Sequence, residues 1–438
     1  MFEAVVNAFK IPDIRRKILF TVAMLVIFRF IASIPVPGVN RGALADFIDG
    51  NQLLGVLNLF SGSGLKNFSV VALGVYPYIT ASIIMQLMTP IIPRLNELSN
   101  EGQGGRNKIN QITHYLTVPL ALLQGYGHAL LFSRTNSTGG TPLLKGFGLF
   151  QQSTVVPTLA ILLSMTAGTM LLVWIGELIT ENGIGNGTSI IIFGGIVASL
   201  PSAIGKLATG GSASQNIIGL VLFIVIALAT IVGIVLINEG QRRIPVHHAK
   251  RIRGNRQYGG NTTFIPLRVN SAGMIPLIFA VSIMVFPGMI SNFLVSSSRE
   301  WVRNLAGQLN RIFSPTSVQY NVLYFLMVVG FTYFYTMVIF QQQKIPENLQ
   351  RQGAFIPGVR PGKNTAMYLQ RVLTRITLVG ALFLGIVAIM PFIASRITGV
   401  QTLLLSATSM LIVVGVAIDT MRQLEAQLLM RNYEGFIK

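Results

Sequence analysis

Along the chain, apolar runs of about 20 residues alternate with short polar stretches, and a run of that length matches the hydrocarbon thickness of a bilayer. Ten such runs lie near 17–36, 69–90, 112–133, 154–178, 184–204, 215–238, 271–294, 319–341, 373–395 and 401–421. The pattern predicts ten transmembrane helices. The first run reads as a span and not a signal peptide, because it is long and is followed by the turn Pro35-Val36-Pro37-Gly38 instead of a small-residue cleavage site. One region breaks the pattern. Residues 56–91 open with a partly apolar piece too short to cross, interrupted by Gly62, Gly64 and Gly74, and only the part from about Ser69 to Met88 is long enough to span. Backbone at membrane depth must be hydrogen-bonded or line a protein-enclosed cavity. This segment therefore points to an internal cavity or pore.

Composition agrees with a polytopic membrane protein: 51% of residues are hydrophobic and 11% charged, with a mean hydropathy of +0.62. A soluble domain carries about 25% charged residues. No cysteine occurs, which excludes disulfides, thiolate catalysis and cysteine metal sites. The four histidines form no HExxH pattern, and the adjacent His247 and His248 lie in a basic loop, where loop chemistry is a better reading than metal binding. His114 and His128, the histidines of the spans, have no evident catalytic partner. No paired carboxylates and no Walker motif are visible, so neither an enzyme nor a cofactor is expected. Energy would come from a partner or from the proton-motive force.

The net charge of +19 is unevenly placed. Of 33 Lys and Arg residues, 23 fall on the side of both tails and the even-to-odd loops, 9 fall on the opposite side, and Arg29 lies within the first span. The positive-inside rule then puts both termini in the cytoplasm. Two loops hold much of this charge, 239–270 with seven Lys or Arg and 341–375 with six. Their Gly and Pro punctuation predicts extended, hairpin-like protrusions. Topology signalling explains the sign of that charge but not its concentration in two long loops.

The ten spans divide at 205–214 into five and five, giving halves 1–205 and 206–438. Because five is odd, related halves would insert with opposite orientation, the parity of an inverted repeat. The expected fold class is an all-α membrane protein with ten transmembrane helices in two inverted five-helix halves. Polarity inside the spans is low. Arg29 lies two-thirds of the way along its span and is placed to snorkel outward, while Glu177, Glu239 and Asp419 sit near cytoplasmic ends. A mid-bilayer charge costs ~3 kcal/mol. What the spans hold instead are Thr80, Gln86, Gln124 and Ser282, uncharged groups whose hydrogen bonds between helices are worth roughly 0.6–2 kcal/mol each.

Several runs resemble the SecY family, the central channel subunits of Sec protein translocases. They are IPVPG at 34–38, NLFSGSG at 58–64, ALGVYPYITASIIMQL at 72–87, EGQGGR at 101–106, WIGELITENGIGNG at 174–187, GQRRIP at 240–245 and GAFIPGVRPG at 353–362. They occur in family order over nearly the whole length. The resemblance implies an hourglass channel between the two halves. It implies a plug formed by Leu57, Asn58, Leu59, Phe60, Ser61, Gly62, Ser63, Gly64, Leu65, Lys66 and Asn67, the alternative being an exterior re-entrant loop without a gating role. It further implies a constriction ring of Val75, Ile79, Ile192, Ile278 and Ile412, with Val75 leaving the ring looser on its side and Thr188 weakening the apolar collar.

By the same resemblance, the second and seventh spans, with the third and eighth, form a lateral gate to lipid. Thr80, Gln86 and Gln124 fall on one side of it, and Ser282 and Phe286 on the other; ordinary interhelical packing is the alternative for each. Arg360 would couple to the SecA motor ATPase or the ribosome, and Arg242, Arg243, Lys250, Arg251, Arg253 and Arg256 belong to the other docking loop. Implied partners are SecE- and SecG-like small membrane subunits, SecA, the ribosome, signal sequences, preprotein chains and lipid. The implied location is the bacterial plasma membrane. An ion-coupled solute carrier also uses inverted repeats and broken helices, but it usually needs midplane charge that this chain lacks.

Overall fold

The computed structural model describes residues 11–36, 39, 44, 58, 61–62, 64–134, 144, 147, 152–209, 217–248, 251–253, 256–258, 262–294, 299–398 and 406–434. Helices dominate: α1 (Pro12–Ala32), α2 (Tyr76–Met88), α3 (Pro93–Asn100), α4 (Gln103–Arg134), α5 (Gln152–Asn182), α6 (Gly187–Thr209) and α7 (Ile217–Glu239). After a strand-bearing loop come α8 (Ile275–Leu294), α9 (Glu300–Ile312), α10 (Val318–Gln343), α11 (Ile345–Arg351), α12 (Lys363–Thr398) and α13 (Ser406–Glu434). Each of the ten predicted spans overlaps one of these helices. The stretches Thr154–Asn182, Val318–Arg351 and Lys363–Ile397 are long and apolar enough to cross a membrane by length and composition alone, among the described residues. Apolar side chains on α1, α7, α10 and α12 point outward, as lipid-facing surfaces do.

The second span departs from expectation. Its apolar sequence begins near Ser69, yet residues 64–75 run as successive turns and the helix starts only at Tyr76. Gly74 takes a positive φ of 60° just before that start, and Pro77, which has no N–H to donate, is tolerated in the first turn. A helix of 13 residues is roughly 20 Å long, short of the ~30 Å hydrocarbon core. Helix α6 runs past residue 205 to Thr209.

One apolar cluster runs through the interior and draws on α1, the turns before α2, and α2, α4, α5, α6, α8, α10, α12 and α13. A second, smaller core sits in the two basic loops. Strand β1 (Gln241–His248) pairs antiparallel with β4 (Thr262–Arg268), in the register Ile244 to Ile265, and the short strands β2 (Arg251–Arg253) and β3 (Arg256–Tyr258) pair at the tip. The first loop is therefore the hairpin that was expected. The second is not extended: Lys344, at a φ of 45°, turns α10 into α11, and α12 begins as early as Lys363. Between them β5 (Ala354–Phe355) pairs with β1, giving a sheet of order β4-β1-β5 that joins both loops. Alternation along β1 turns Ile244 and Val246 inward, onto Leu267, Leu349, Ala354, Ile356 and Leu369.

Leu369 is fully buried in this small core, so Leu369→Ala should cost about 2–5 kcal/mol. Hydrogen–deuterium exchange should then show lost protection in β1 and β5 together. Loss confined to one loop would mean that the two fold separately.

Candidate functional site

The site begins with the broken segment ahead of α2. Of the expected plug residues, Asn58, Ser61, Gly62, Gly64, Leu65, Lys66 and Asn67 are described, whereas Leu57, Leu59, Phe60 and Ser63 lie outside the described residues. Short polar side chains close the local turns. The Ser61 hydroxyl donates to the Asn58 carbonyl at 3.0 Å and accepts from the Leu65 N–H at 3.0 Å, and Asn58 Oδ1 accepts from the Lys66 N–H at 2.9 Å. Ser61 and Leu65 are buried. Gly62 has a φ of 62°, and a side chain there would meet the ring of Phe28.

The segment is tied to α1 and its exit. Arg29 on α1 donates to the Gly62 carbonyl at 2.8 Å. Backbone bonds run from Val36 N–H to Phe68 O at 2.8 Å and from Val70 N–H to Ile34 O at 3.1 Å, and Asn67 Nδ2 donates to Ala32 O at 3.5 Å. Arg29 therefore does not snorkel outward as expected; it donates to the Gly62 carbonyl of the non-helical turns instead. Phe68 holds a φ of 42°, a left-handed conformation rare for a bulky residue. Its ring is buried edge-on against Phe132 at 5.4 Å, which fixes it there.

All five residues carried over as the constriction ring fall in the interior apolar cluster. Val75 caps α2, Ile79 follows one turn later, and Ile192, Ile278 and Ile412 come from α6, α8 and α13, each 8% exposed or less. Thr188, one turn before Ile192 on α6, is half-buried. On the side of the two basic loops a cavity of about 540 Å³ opens, lined by Asn186, Asn238, Asn270, Asp419 and Arg422 and reaching Ile275 and Leu411 beside the ring positions.

The structure also brings together most of the expected gate residues. Gln124 Nε2 on α4 donates to Thr80 Oγ1 on α2 at 3.5 Å, and Thr80 Oγ1 donates to Tyr76 O at 3.0 Å. The Tyr76 hydroxyl then crosses to α8 and donates to the Ser282 carbonyl at 3.0 Å. Sequence reasoning named Ser282 for its side chain and missed Tyr76, whose acceptor is a backbone group. Gln86 Nε2 bonds Ser82 Oγ within α2 at 3.3 Å and lines a second cavity, of about 590 Å³, shared with Asn107, Asn110, Gln341 and Lys344. Phe286 is a residue of α8, and its side chain lies outside the described residues. Among the described residues, Gln86 Oε1 and Gln124 Oε1 are buried without a partner, a penalty of about 1–3 kcal/mol each. Across to α8, this seam makes its polar contact through the Tyr76 bond.

His114, for which the sequence showed no evident catalytic partner, pairs with Glu177 of α5 at 2.7 Å and stacks on Tyr78 of α2, which ties three helices together. In the basic loops, His247 Nδ1 contacts Thr262 Oγ1 at 3.0 Å and His248 Nε2 contacts Thr263 Oγ1 at 3.1 Å, so both rings stitch β1 to β4. No group of three or more His, Asp or Glu capable of holding a metal occurs among the described residues. Arg242 and Arg243 are exposed on β1, Arg251 and Arg253 belong to β2 and Arg256 to β3, while Lys250 lies outside the described residues. Arg360 is exposed in the turn 356–362, where its carbonyl accepts from Thr365 Oγ1 at 3.0 Å.

The SecY family profile matches residues 69–421, which hold α2, the ring positions and both basic loops. The chain belongs to the SecY family. Relatives described as protein translocase subunit SecY come from Halalkalibacterium halodurans, 42% identical over 446 residues, and Corynebacterium glutamicum, 44% identical over 454, each alignment covering all of both chains. Among solved structures, one described as a protein conducting channel superposes with a TM-score of 0.61 at 16% identity over 96% of each chain. A second, concerning a SecY whose plug domain stabilises the closed state and maintains a membrane seal, gives 0.61 at 17% over 96% of each chain. At those identities the two structures speak to the SecY fold.

Tyr76→Phe removes the bond across the seam, worth about 1 kcal/mol or roughly a five-fold shift in the population of separated helices. Because the chain has no cysteine, spin labels can be placed singly on α2 and α8, and their distance distribution should lengthen in the variant. An unchanged distribution would show that this bond does not hold the seam.

Proposed function

We propose that this chain is the protein-conducting channel of a translocase, passing unfolded preproteins across the membrane and releasing apolar segments sideways into lipid. The observation that carries the reading is the non-helical segment 64–75, largely buried among membrane helices together with Ser61 and Gly62, bonded to α1 and the residues after it, and leading directly into an aliphatic cluster. Residues 57–67 act as the plug of one exit. Val75, Ile79, Ile192, Ile278 and Ile412 form the constriction. Apolar, flexible side chains give a passing chain no fixed hydrogen bond, and they dewet when the pore is empty, which resists ion leakage. Thr80, Gln86, Gln124, Ser282 and Phe286 border the lateral gate, with Tyr76 added from its bond to α8.

Ten transmembrane helices divide into inverted halves, 1–205 and 206–438. Both termini lie in the cytoplasm of a bacterium, in keeping with 23 of 33 Lys and Arg on that side and with bacterial relatives of full-length similarity. The joined basic loops are the docking face for the SecA motor or the ribosome through Arg242, Arg243, Lys250, Arg251, Arg253, Arg256 and Arg360. Ribosome binding there would rest on phosphate contacts and weaken with salt. SecE- and SecG-like subunits complete the assembly, and signal sequences enter at the gate.

Deleting 57–67 should make reconstituted vesicles leak small ions, and Arg29→Met, which removes one charge-assisted bond worth roughly 1.5–3 kcal/mol, should give a smaller leak. Unchanged conductance in both would reject the plug. Arg360→Glu should impair SecA-driven transport while the variant itself still inserts and folds. Equal loss of transport and of folded protein would assign Arg360 a structural role.

A further inference from the structure

Helix α9 sits on the membrane face opposite the two basic loops, between α8 and α10, and reads EWVRNLAGQLNRI. At 3.6 residues per turn, Trp301, Leu305 and Ile312 line one stripe. Ala306 flanks it and is fully buried where α9 packs on α8. The stripe itself is uncovered, with Trp301 65%, Leu305 47% and Ile312 40% exposed. Glu300, Arg303, Asn304 and Arg311 occupy the opposite arc.

The helix is not free to turn this stripe elsewhere. Residues 313–317 join α9 to α10, and the Ser317 hydroxyl both donates to Ile312 O at 2.9 Å and accepts from the Tyr320 N–H at 3.1 Å. Asn321 Nδ2 closes the same turn on Pro315 O at 3.0 Å, and Phe313 packs against the interior cluster. Helix α10 opens a stretch of membrane-crossing length, and its own outward residues Val318, Val322 and Leu326 are more than half exposed. The hydrogen-bonded turn thus holds the end of α9 next to the start of α10, where that outward-facing surface begins. Charge adds a second, independent constraint: Arg299, Arg303 and Arg311 are three of the nine Lys and Arg residues on this side of the chain.

We propose that α9 is an interfacial helix lying in the plane of this leaflet, with Trp301, Leu305 and Ile312 in the acyl boundary and Arg303 and Arg311 on the phosphates of anionic lipid headgroups. An amphipathic helix with a tryptophan-bearing apolar face and arginines on its polar face binds a bilayer in this way, and the arginine stems cover apolar surface while their heads reach water. The occupant is lipid and not a second protein because a short hydrogen-bonded turn ties α9 to the start of α10, whose outward residues face the bilayer, and arginines stand beside the apolar stripe as anionic headgroups require. The inference is independent of where the plug and gate lie.

The chain has two tryptophans, Trp174 and Trp301, so Trp174→Phe leaves Trp301 as the only reporter. In full-length protein reconstituted into phosphatidylcholine vesicles containing phosphatidylglycerol, lipids brominated near the headgroup end of the chains should quench Trp301 more than lipids brominated near the bilayer centre. Aqueous iodide should quench it little. Brominated phosphatidylglycerol should quench more than brominated phosphatidylcholine at equal content, by up to roughly five-fold local enrichment per arginine, and Arg303→Gln with Arg311→Gln should abolish that excess. Strong iodide quenching would overturn the proposal, as would shielding from both iodide and lipid, which would assign the stripe to another protein chain. Equal quenching by both brominated lipids would overturn the headgroup contact. A spin label at Leu305→Cys, in a chain that keeps both tryptophans, provides a separate reading: oxygen should reach it more readily than a water-soluble nickel chelate, and the reverse order would refute membrane burial.

Discussion

A peptide carbonyl or N–H at membrane depth has no water to turn to, and leaving one unpaired costs several kcal/mol. Every unusual feature between Asn58 and Tyr76 answers that constraint. The turns satisfy part of their own backbone locally, with help from Ser61 and Asn58, and α1 and the residues after it supply further partners through Arg29, Ile34 and Val36. Turn bonds continue to Gly74, whose positive φ precedes the start of α2. Val75 and Ile79 then enter the interior cluster, and Tyr76 faces α8.

The two boundaries of this interior are held with unequal strength. The broken segment is gripped by a charged donor and by two backbone bonds, with one strained residue, Phe68, locked by its ring contact. Between α2 and α8, by contrast, a single phenolic hydroxyl crosses to a carbonyl, and two glutamine oxygens nearby remain unpaired among the described residues. A seam built this way opens at low cost. On the channel reading the exit to lipid is the easier one to part, and the exit across the membrane needs a larger perturbation.

Helix positions were legible in the sequence wherever the apolar run is long and uninterrupted, as in α5 and α7. What escaped was non-local. The residues Ser69 to Val75 are as apolar as any span, and nothing in their order announces local turns in place of a helix, with Val70 bonded to Ile34 and neighbouring Phe68 to Val36. Arg29 read as a snorkelling side chain because its acceptor is a backbone carbonyl 33 residues away, a contact that leaves no side-chain signature. Tyr76 was passed over for the same reason. The inward alternation of Ile244 and Val246 was a usable strand signal, but the two-residue β5 carries none, so the union of the basic loops could not be foreseen. The plug, ring and docking roles came from family resemblance, since an aliphatic residue in a membrane helix looks the same facing a pore, a neighbour or lipid.

That union has a mechanical consequence. Strand β1 leaves α7 through Gly240, β4 runs into α8, and β5 stands between α11 and α12, while the Val269 N–H to Gly240 O bond at 2.9 Å clamps the base of the hairpin. Load applied at any one strand is shared by the ends of three long helices, two of which, α7 and α8, stand on either side of the clamp. A stiff crossbar of this kind converts a push at the surface into a common tilt of the helices beneath it. Two separate flexible loops would dissipate the same push.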